Sequence, residues 1–182
     1  MGRMICGAAG VLVAAMAVSG VAAQKTTDVH PGKGGSPHVK SEWTVDGASI
    51  AIQYGRPYLK GRPDATVMPP GKPWRTGADE ATVLTTDRPL KFGTLSLEPG
   101  SYTINTEPGE KQWQLIVGKV SKPGQWGVPY QKDLEIGRAP MNVTKTDKPV
   151  EQLTIGIDDT PKGGTLRVEW GTTRASIPFT VG

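Results

Sequence analysis

The sequence predicts an all-β protein, a single antiparallel β-sandwich of jelly-roll or immunoglobulin-like type with little or no helix. Seven runs alternate apolar and polar residues with period two, the signature of strands with one face on a core and one in solvent. Between the runs stand clustered turn signals, drawn from 24 Gly and 16 Pro in 182 residues. No ten consecutive residues carry a helical stripe, so at most one short helical turn is expected, over residues 62–67.

Taken in order, the first 23 residues read as a segment removed before folding. Arg3 gives a short positive start, residues 5–18 are apolar or small, and Gly20-Val21-Ala22-Ala23 offers a cleavage point before Gln24. This is the pattern of a secretory signal peptide, with an apolar run too short and wrongly flanked for a membrane anchor. The expected destination is periplasmic or extracellular, with no transmembrane anchor after cleavage. The single cysteine, Cys6, precedes the apolar run and leaves with it. The exported chain then has no disulfide and no thiol chemistry, and packing alone must hold it.

Residues 24–35 are polar, rich in Gly and Pro and without periodicity, and read as a flexible leader. Residues 36–182 are the β-sandwich domain, with no internal repeat. His30 and His38 stand eight apart in and beside the leader. Two histidines with no third ligand in the sequence argue for a solvated tail over a metal site, so neither metal nor cofactor is expected.

The strands follow. Ile50, Ile52 and Tyr54 alternate with polar or small neighbours; so do Leu95 and Leu97, then Tyr102 and Ile104. Trp113, Leu115 and Val117 form the next run, then Leu153, Ile155 and Ile157, then Leu166, Val168 and Trp170, and finally Ile177, Phe179 and Val181. Pro178 inside the last run argues for an edge or a bulge there. The turns between them are Glu98-Pro99-Gly100, Glu107-Pro108-Gly109, Lys122-Pro123-Gly124 and Lys162-Gly163-Gly164. Trp113 and Trp170 fall on apolar faces and read as core, whereas Trp74 and Trp126 lie in Pro/Gly contexts that suit either a core cap or a carbohydrate platform.

One stretch stands apart. Gly71-Lys72-Pro73-Trp74-Arg75-Thr76-Gly77-Ala78-Asp79-Glu80-Ala81-Thr82 concentrates an indole, a guanidinium, two adjacent carboxylates and two hydroxyls in a turn-rich run between strands. Chemistry carried on a loop and held by a scaffold is where binding usually sits. Arg56, Arg62 and Arg75 each lie at a strand end or in a loop, and a guanidinium can fork onto an anion or stack on an indole. They are expected to line one pocket with Trp74, unless Arg75 is spent on an internal ion pair with Asp79 or Glu80. On a regular strand Asp79 and Glu80 would point to opposite faces, so they act together only if the backbone turns between them.

Several chemistries are absent. There is no Gly-x-Ser-x-Gly elbow and no Gly-rich phosphate loop opening a helix. Asp158-Asp159 lacks the regular alternation of a calcium loop. Removing Arg3 takes the basic count from 21 to 20 against 17 acids, a net charge of +3 with the signs interspersed, so nucleic acid is not an expected partner.

A set of pieces in order resembles a known family: Ser36-Pro37, Tyr54-Gly55-Arg56-Pro57, Gly61-Arg62, residues 74–82, Leu97-Glu98-Pro99-Gly100-Ser101-Tyr102, and Trp126-Gly127. Together they are similar to the bacterial domain-of-unknown-function 2911 family over nearly the whole exported chain. The resemblance implies an exported protein and brings no activity. The chain departs from the family in having Asp79 where relatives usually have Asn, Gly55 where they often have Ser, and Gly118 where they tend to have Asn.

The expected function is therefore non-catalytic binding of a small polar, anionic or glycan ligand, or of an envelope partner protein. The candidate residues are Tyr54, Arg56, Arg62, Trp74, Arg75, Asp79, Glu80, Thr82 and Trp126. The alternative is a hydrolase of cell-wall or extracellular polymers with Glu80 as acid or base, which would need Glu80 to face a second carboxylate across an open cleft. A purely structural role in the envelope is a third reading.

Overall fold

The computed structural model of the chain describes residues 24–121 and 130–182. The expected signal peptide, the turn at residues 122–124 and Trp126 lie outside the described residues. Ten strands follow in chain order: β1 (Lys25–His30), β2 (His38–Val45), β3 (Ala48–Gly55), β4 (Val83–Thr86), β5 (Leu90–Phe92), β6 (Leu95–Leu97), β7 (Gly100–Glu107), β8 (Gln112–Lys119), β9 (Glu135–Thr160) and β10 (Gly163–Val181). An α-helical turn, α1 (Asp64–Val67), sits inside the span where one was expected, and a turn of 3-10 helix spans Lys132–Leu134. The strands form one antiparallel open sheet in the order β1-β2-β3-β4-β7-β8-β9-β10-β5-β6.

The alternating residues carry the core. Ile50, Ile52 and Tyr54 of β3 are buried, as are Trp113, Leu115 and Val117 of β8 and Leu166, Val168 and Trp170 of β10. On β10 the ladder with β9 ends at Ser176 and the ladder with β5 begins at Thr180. Pro178 stands between them, where its missing N–H costs neither ladder a bond.

Residues 25–30 are strand and not leader. β1 pairs with β2 from Lys25↔Glu42 to His30↔His38. Its side chains are exposed up to His30, so an edge strand wet on both faces shows no alternation for periodicity to find. Its pairing is backbone bonding helped by polar cross-strand contacts such as Thr26 Oγ1 to Ser41 Oγ at 3.1 Å.

The sheet curls. Past β3 the chain is tied to β9, four places away in the strand order: Leu59 N donates to Glu151 O at 2.8 Å and Leu153 N to Pro57 O at 3.0 Å. The buried Tyr54 hydroxyl accepts from Ile155 N at 3.0 Å. This brings the end of β3, the loop after it and residues 74–82 together at one end of the molecule. Among the described residues no helix is long and apolar enough to cross a membrane.

Candidate functional site

The site begins with the β1–β2 hairpin. His30 and His38 are directly opposed across it, so both rings lie on one face and stack, with centroids 4.2 Å apart and planes 18° apart. The next position across the sheet from His38 is Gly55. A Cβ there would lie 2.6 Å from His38 Nε2, so only glycine leaves room for the imidazole at this point of β3.

Into the space above Gly55 comes the loop of residues 74–82. It is pinned at both ends to β7: Trp74 and Thr106 exchange backbone bonds at 2.7 and 2.8 Å, and Ile104 N donates to Thr82 O at 2.9 Å. In its middle Ala78 N reaches Gly55 O at 3.3 Å. Inside the loop the buried Thr82 donates to Thr76 O at 3.0 Å, and the Thr76 and Thr106 hydroxyls meet at 3.0 Å. Thr82 is therefore a lock on the loop and does not face a ligand. Two residues adopt the left-handed conformation, Thr76 at φ 55 and Asp79 at φ 61. For a β-branched Thr this is a true outlier, stored strain that the surrounding bonds hold in place.

The left-handed turn at Asp79 is the backbone turn that Asp79 and Glu80 need in order to face the same way. Both converge on one imidazole nitrogen: Glu80 Oε2 is 2.9 Å and Asp79 Oδ2 3.5 Å from His38 Nε2. The other oxygen, Glu80 Oε1, is 3.0 Å from His30 Nε2. Gly32 N donates to His30 Nδ1 at 3.1 Å, so Nδ1 carries the lone pair and Nε2–H points at Glu80. Lys33 N donates to Asp79 Oδ2 at 3.1 Å, tying the hairpin loop to the same carboxylates. Burial holds the His38 imidazole below its usual range, against the opposing pull of Glu80 and Asp79.

Beside this cluster lies a cleft of about 600 Å³. Lys60, Arg62 and Arg75 line it together with Trp74, Trp170 and the Gly34–Gly35 backbone. Trp74 is half-buried and stacks on Trp170, with centroids 5.7 Å apart and planes 12° apart. It is thus both a cap on the core and a wall of the cleft.

The arginines divide. Arg62 and Arg75 share the cleft with Trp74, but Arg56 does not; its guanidinium donates to Leu153 O at 3.0 Å and Thr154 Oγ1 at 3.1 Å and binds the two wings of the sheet. Tyr54 is likewise structural, and burial pushes its hydroxyl above the usual range. Arg75 is not spent on an ion pair with Asp79 or Glu80, as its Nε donates to Gly77 O at 3.4 Å. Asp158, weighed as an ion ligand, is bound to Arg167 at 3.0 Å.

The residues that sequence reasoning set aside are His30 and His38. Their signal was the spacing itself: two histidines bracketing Pro31-Gly32-Lys33-Gly34-Gly35-Ser36-Pro37 are the closing pair of a turn-rich hairpin. The third donor they lacked in sequence is Glu80, some fifty residues on. His30, His38 and Glu80 offer three ligand-type atoms within 4.8 Å of one another.

A family model described as a protein of unknown function (DUF2911) matches residues 36–179. No curated protein and no solved structure matches the chain. The chain belongs to the DUF2911 family.

Proposed function

We propose that this member of a family without an assigned activity is an exported, non-catalytic binding protein for a small anionic ligand of saccharide type, held in the cleft beside residues 74–82. The observation that carries the reading is the composition of that cleft: Lys60, Arg62 and Arg75 line it together with the stacked Trp74 and Trp170. Guanidinium groups recognise carboxylate, sulfate or phosphate, and an indole offers a flat face to a sugar ring. Arg62 already spends two donors on Leu59 O and Tyr58 O, which fixes its fork and lowers the entropy cost of using the rest. The ties from the end of β3 and the loop after it to β9, with Tyr54 among them, support the sandwich reading of the fold. Export rests on the sequence of residues 1–23.

The binding reading is preferred to the hydrolytic alternative because Glu80 meets two imidazoles, not a carboxylate across an open cleft. The test is a thermal-shift and calorimetric panel of uronic-acid and sulfated oligosaccharides, their neutral counterparts and inorganic phosphate. An acidic saccharide at a hundredfold excess over its dissociation constant stabilises the fold by about 2.7 kcal/mol. Arg75→Ala abolishes that shift while leaving the unliganded melting temperature nearly unchanged. Equal response to neutral and acidic sugars, or undiminished binding by Arg75→Ala, overturns the reading.

A further inference from the structure

We propose that His30, His38 and Glu80 form a binding site for one first-row divalent transition-metal ion, zinc foremost, with Asp79 as an outer-sphere partner. The inference is independent of what the neighbouring cleft binds.

The geometry argues first. Three donors of ligating type converge within 4.8 Å, and backbone places each of them. The cross-strand register of the β1–β2 hairpin sets the two histidines side by side. The strained turn at Asp79 aims Glu80 between them. Glycine at position 55 keeps the space for the His38 ring. The nitrogens lie 3.0 and 2.9 Å from the two Glu80 oxygens. Four-coordinate zinc with bonds of about 2.0–2.2 Å sets its ligand atoms roughly 3.3 Å apart, so the two nitrogen–oxygen pairs open by a few tenths of an ångström while the wider pairs of the group, up to 4.8 Å, draw in around the ion.

The donor chemistry selects the ion class. Calcium and magnesium take oxygen ligands in sets of six or more, whereas two imidazoles with one carboxylate suit zinc and its first-row neighbours. Three protein ligands leave a fourth position open, the arrangement of zinc sites that bind water or an exogenous group. Asp79 acts from outside the coordination shell through the Lys33 N–H that it accepts, which steadies the hairpin loop over the site, since His38 Nε2, 3.5 Å from it, has no proton left to donate once it ligates. A divalent ion also balances the two charges that the adjacent carboxylates bring into this half-buried corner.

His30 makes the prediction specific. Without an ion its Nδ1 accepts from Gly32 N and its Nε2 carries the proton. Ligation through Nε2 moves that proton to Nδ1, with no net change in protonation of the ring. The Gly32 N–H must then turn away, so loading rearranges the hairpin loop and not the sheet.

The full chain, purified without a histidine tag and stripped with EDTA, is titrated with Zn²⁺ by calorimetry and its metal counted by atomic emission. The expected result is one Zn²⁺ per chain, with no comparable uptake of Ca²⁺ or Mg²⁺. In ¹⁵N-correlated spectra of the wild type, His30 switches tautomer and the His38 ring signals shift on loading. His38 is 1% exposed and its replacement risks the fold, so the variants are His30→Ala, at a ring 30% exposed, and Glu80→Gln. Each weakens Zn²⁺ binding by more than the roughly 10- to 100-fold that losing an outer-sphere partner costs, while Asp79→Asn falls within that range. Arg75→Ala keeps full uptake, which separates this site from the cleft. Absence of saturable uptake by the wild type, uptake that leaves both histidine signals unmoved, or full affinity in both His30→Ala and Glu80→Gln overturns the proposal.

Discussion

Glu80 and Glu169 are both nearly buried, with side chains 12% and 8% exposed, yet they keep opposite company. Glu169 stands on strand β10, next to an irregularity at Gly171, between two guanidinium groups. Arg167 donates to it at 2.6 Å, and Arg174 reaches its other oxygen. Arg167 also holds Asp158 through two contacts of 3.0 Å. Every charge there has a fixed counter-charge. Glu80 instead sits at the end of a loop with two left-handed residues and meets two imidazoles, one of them held neutral by burial. One cluster uses charge to hold strands together. The other keeps carboxylates in weakly compensated company at the cost of backbone strain, the arrangement expected of a site awaiting a ligand.

The comparison is open to direct attack, most forcefully at Glu169. Glu169→Ala leaves Arg167 partly buried beside Asp158 alone and is expected to cost about 3 kcal/mol in urea denaturation. A loss under about 1 kcal/mol would mean that the guanidinium cluster is decorative. Next comes Gly55→Ala. Its added Cβ has to displace the His38 ring or the chain at Ala78, and overpacking of this kind costs about 1–3 kcal/mol. A stability loss of about 2 kcal/mol is expected, together with altered His38 ring signals; an unperturbed His38 would show that the loop gives way first. Smaller still is Glu80→Gln in metal-free protein, expected to change stability by less than about 1 kcal/mol in either direction. If Glu80→Gln costs as much as Glu169→Ala, the two clusters do the same job and the contrast fails.

The same contrast explains what the sequence disclosed. Ile50, Ile52 and Tyr54, or Leu166, Val168 and Trp170, announce their strands because one face is core and the other is water. β1 announces nothing, since both its faces are wet. β2 is blurred by Ser41, fully buried at an inward position between Val39 and Trp43. The first half of β9 mixes exposed and half-buried positions around the buried Ala139 and Met141, and its register comes from its neighbours β8 and β10. The loop of residues 74–82 was legible by composition alone, as a dense run of reactive side chains between plain strands. Its partners were not. The meeting of Glu80 with His30 and His38 depends on a hairpin register and on one positive φ at Asp79, neither of which leaves a periodic trace. Arg56 misled for the converse reason: an arginine beside Pro and Gly looks like a ligand-binding group, and only the curl of the sheet, which brings the Leu153 carbonyl to it, makes it structural.

A last and smaller effect sharpens the distinction from a third cluster, on β9 and the residues before it. Arg138 forks onto Glu135 at 2.8 and 3.0 Å and reaches Glu107 at 2.8 Å, and Tyr130 donates its hydroxyl to Glu135. The Arg138 hydrogen bonds hold the Glu135 carboxyl below its usual range, against the opposing effect of partial burial. An acid whose folded pKa is depressed adds stability that is present in full above the unfolded value of about 4.3 and is lost as pH falls through the folded value. Stability measured from neutral pH downward should therefore begin to decline below about pH 4.5, and Glu135→Gln should flatten that part of the profile while lowering the neutral plateau slightly. The Arg138 cluster thereby carries an acid-sensitive share of the fold's stability. A profile left unchanged by Glu135→Gln would mean that the Arg138 cluster contributes nothing to the acid limb.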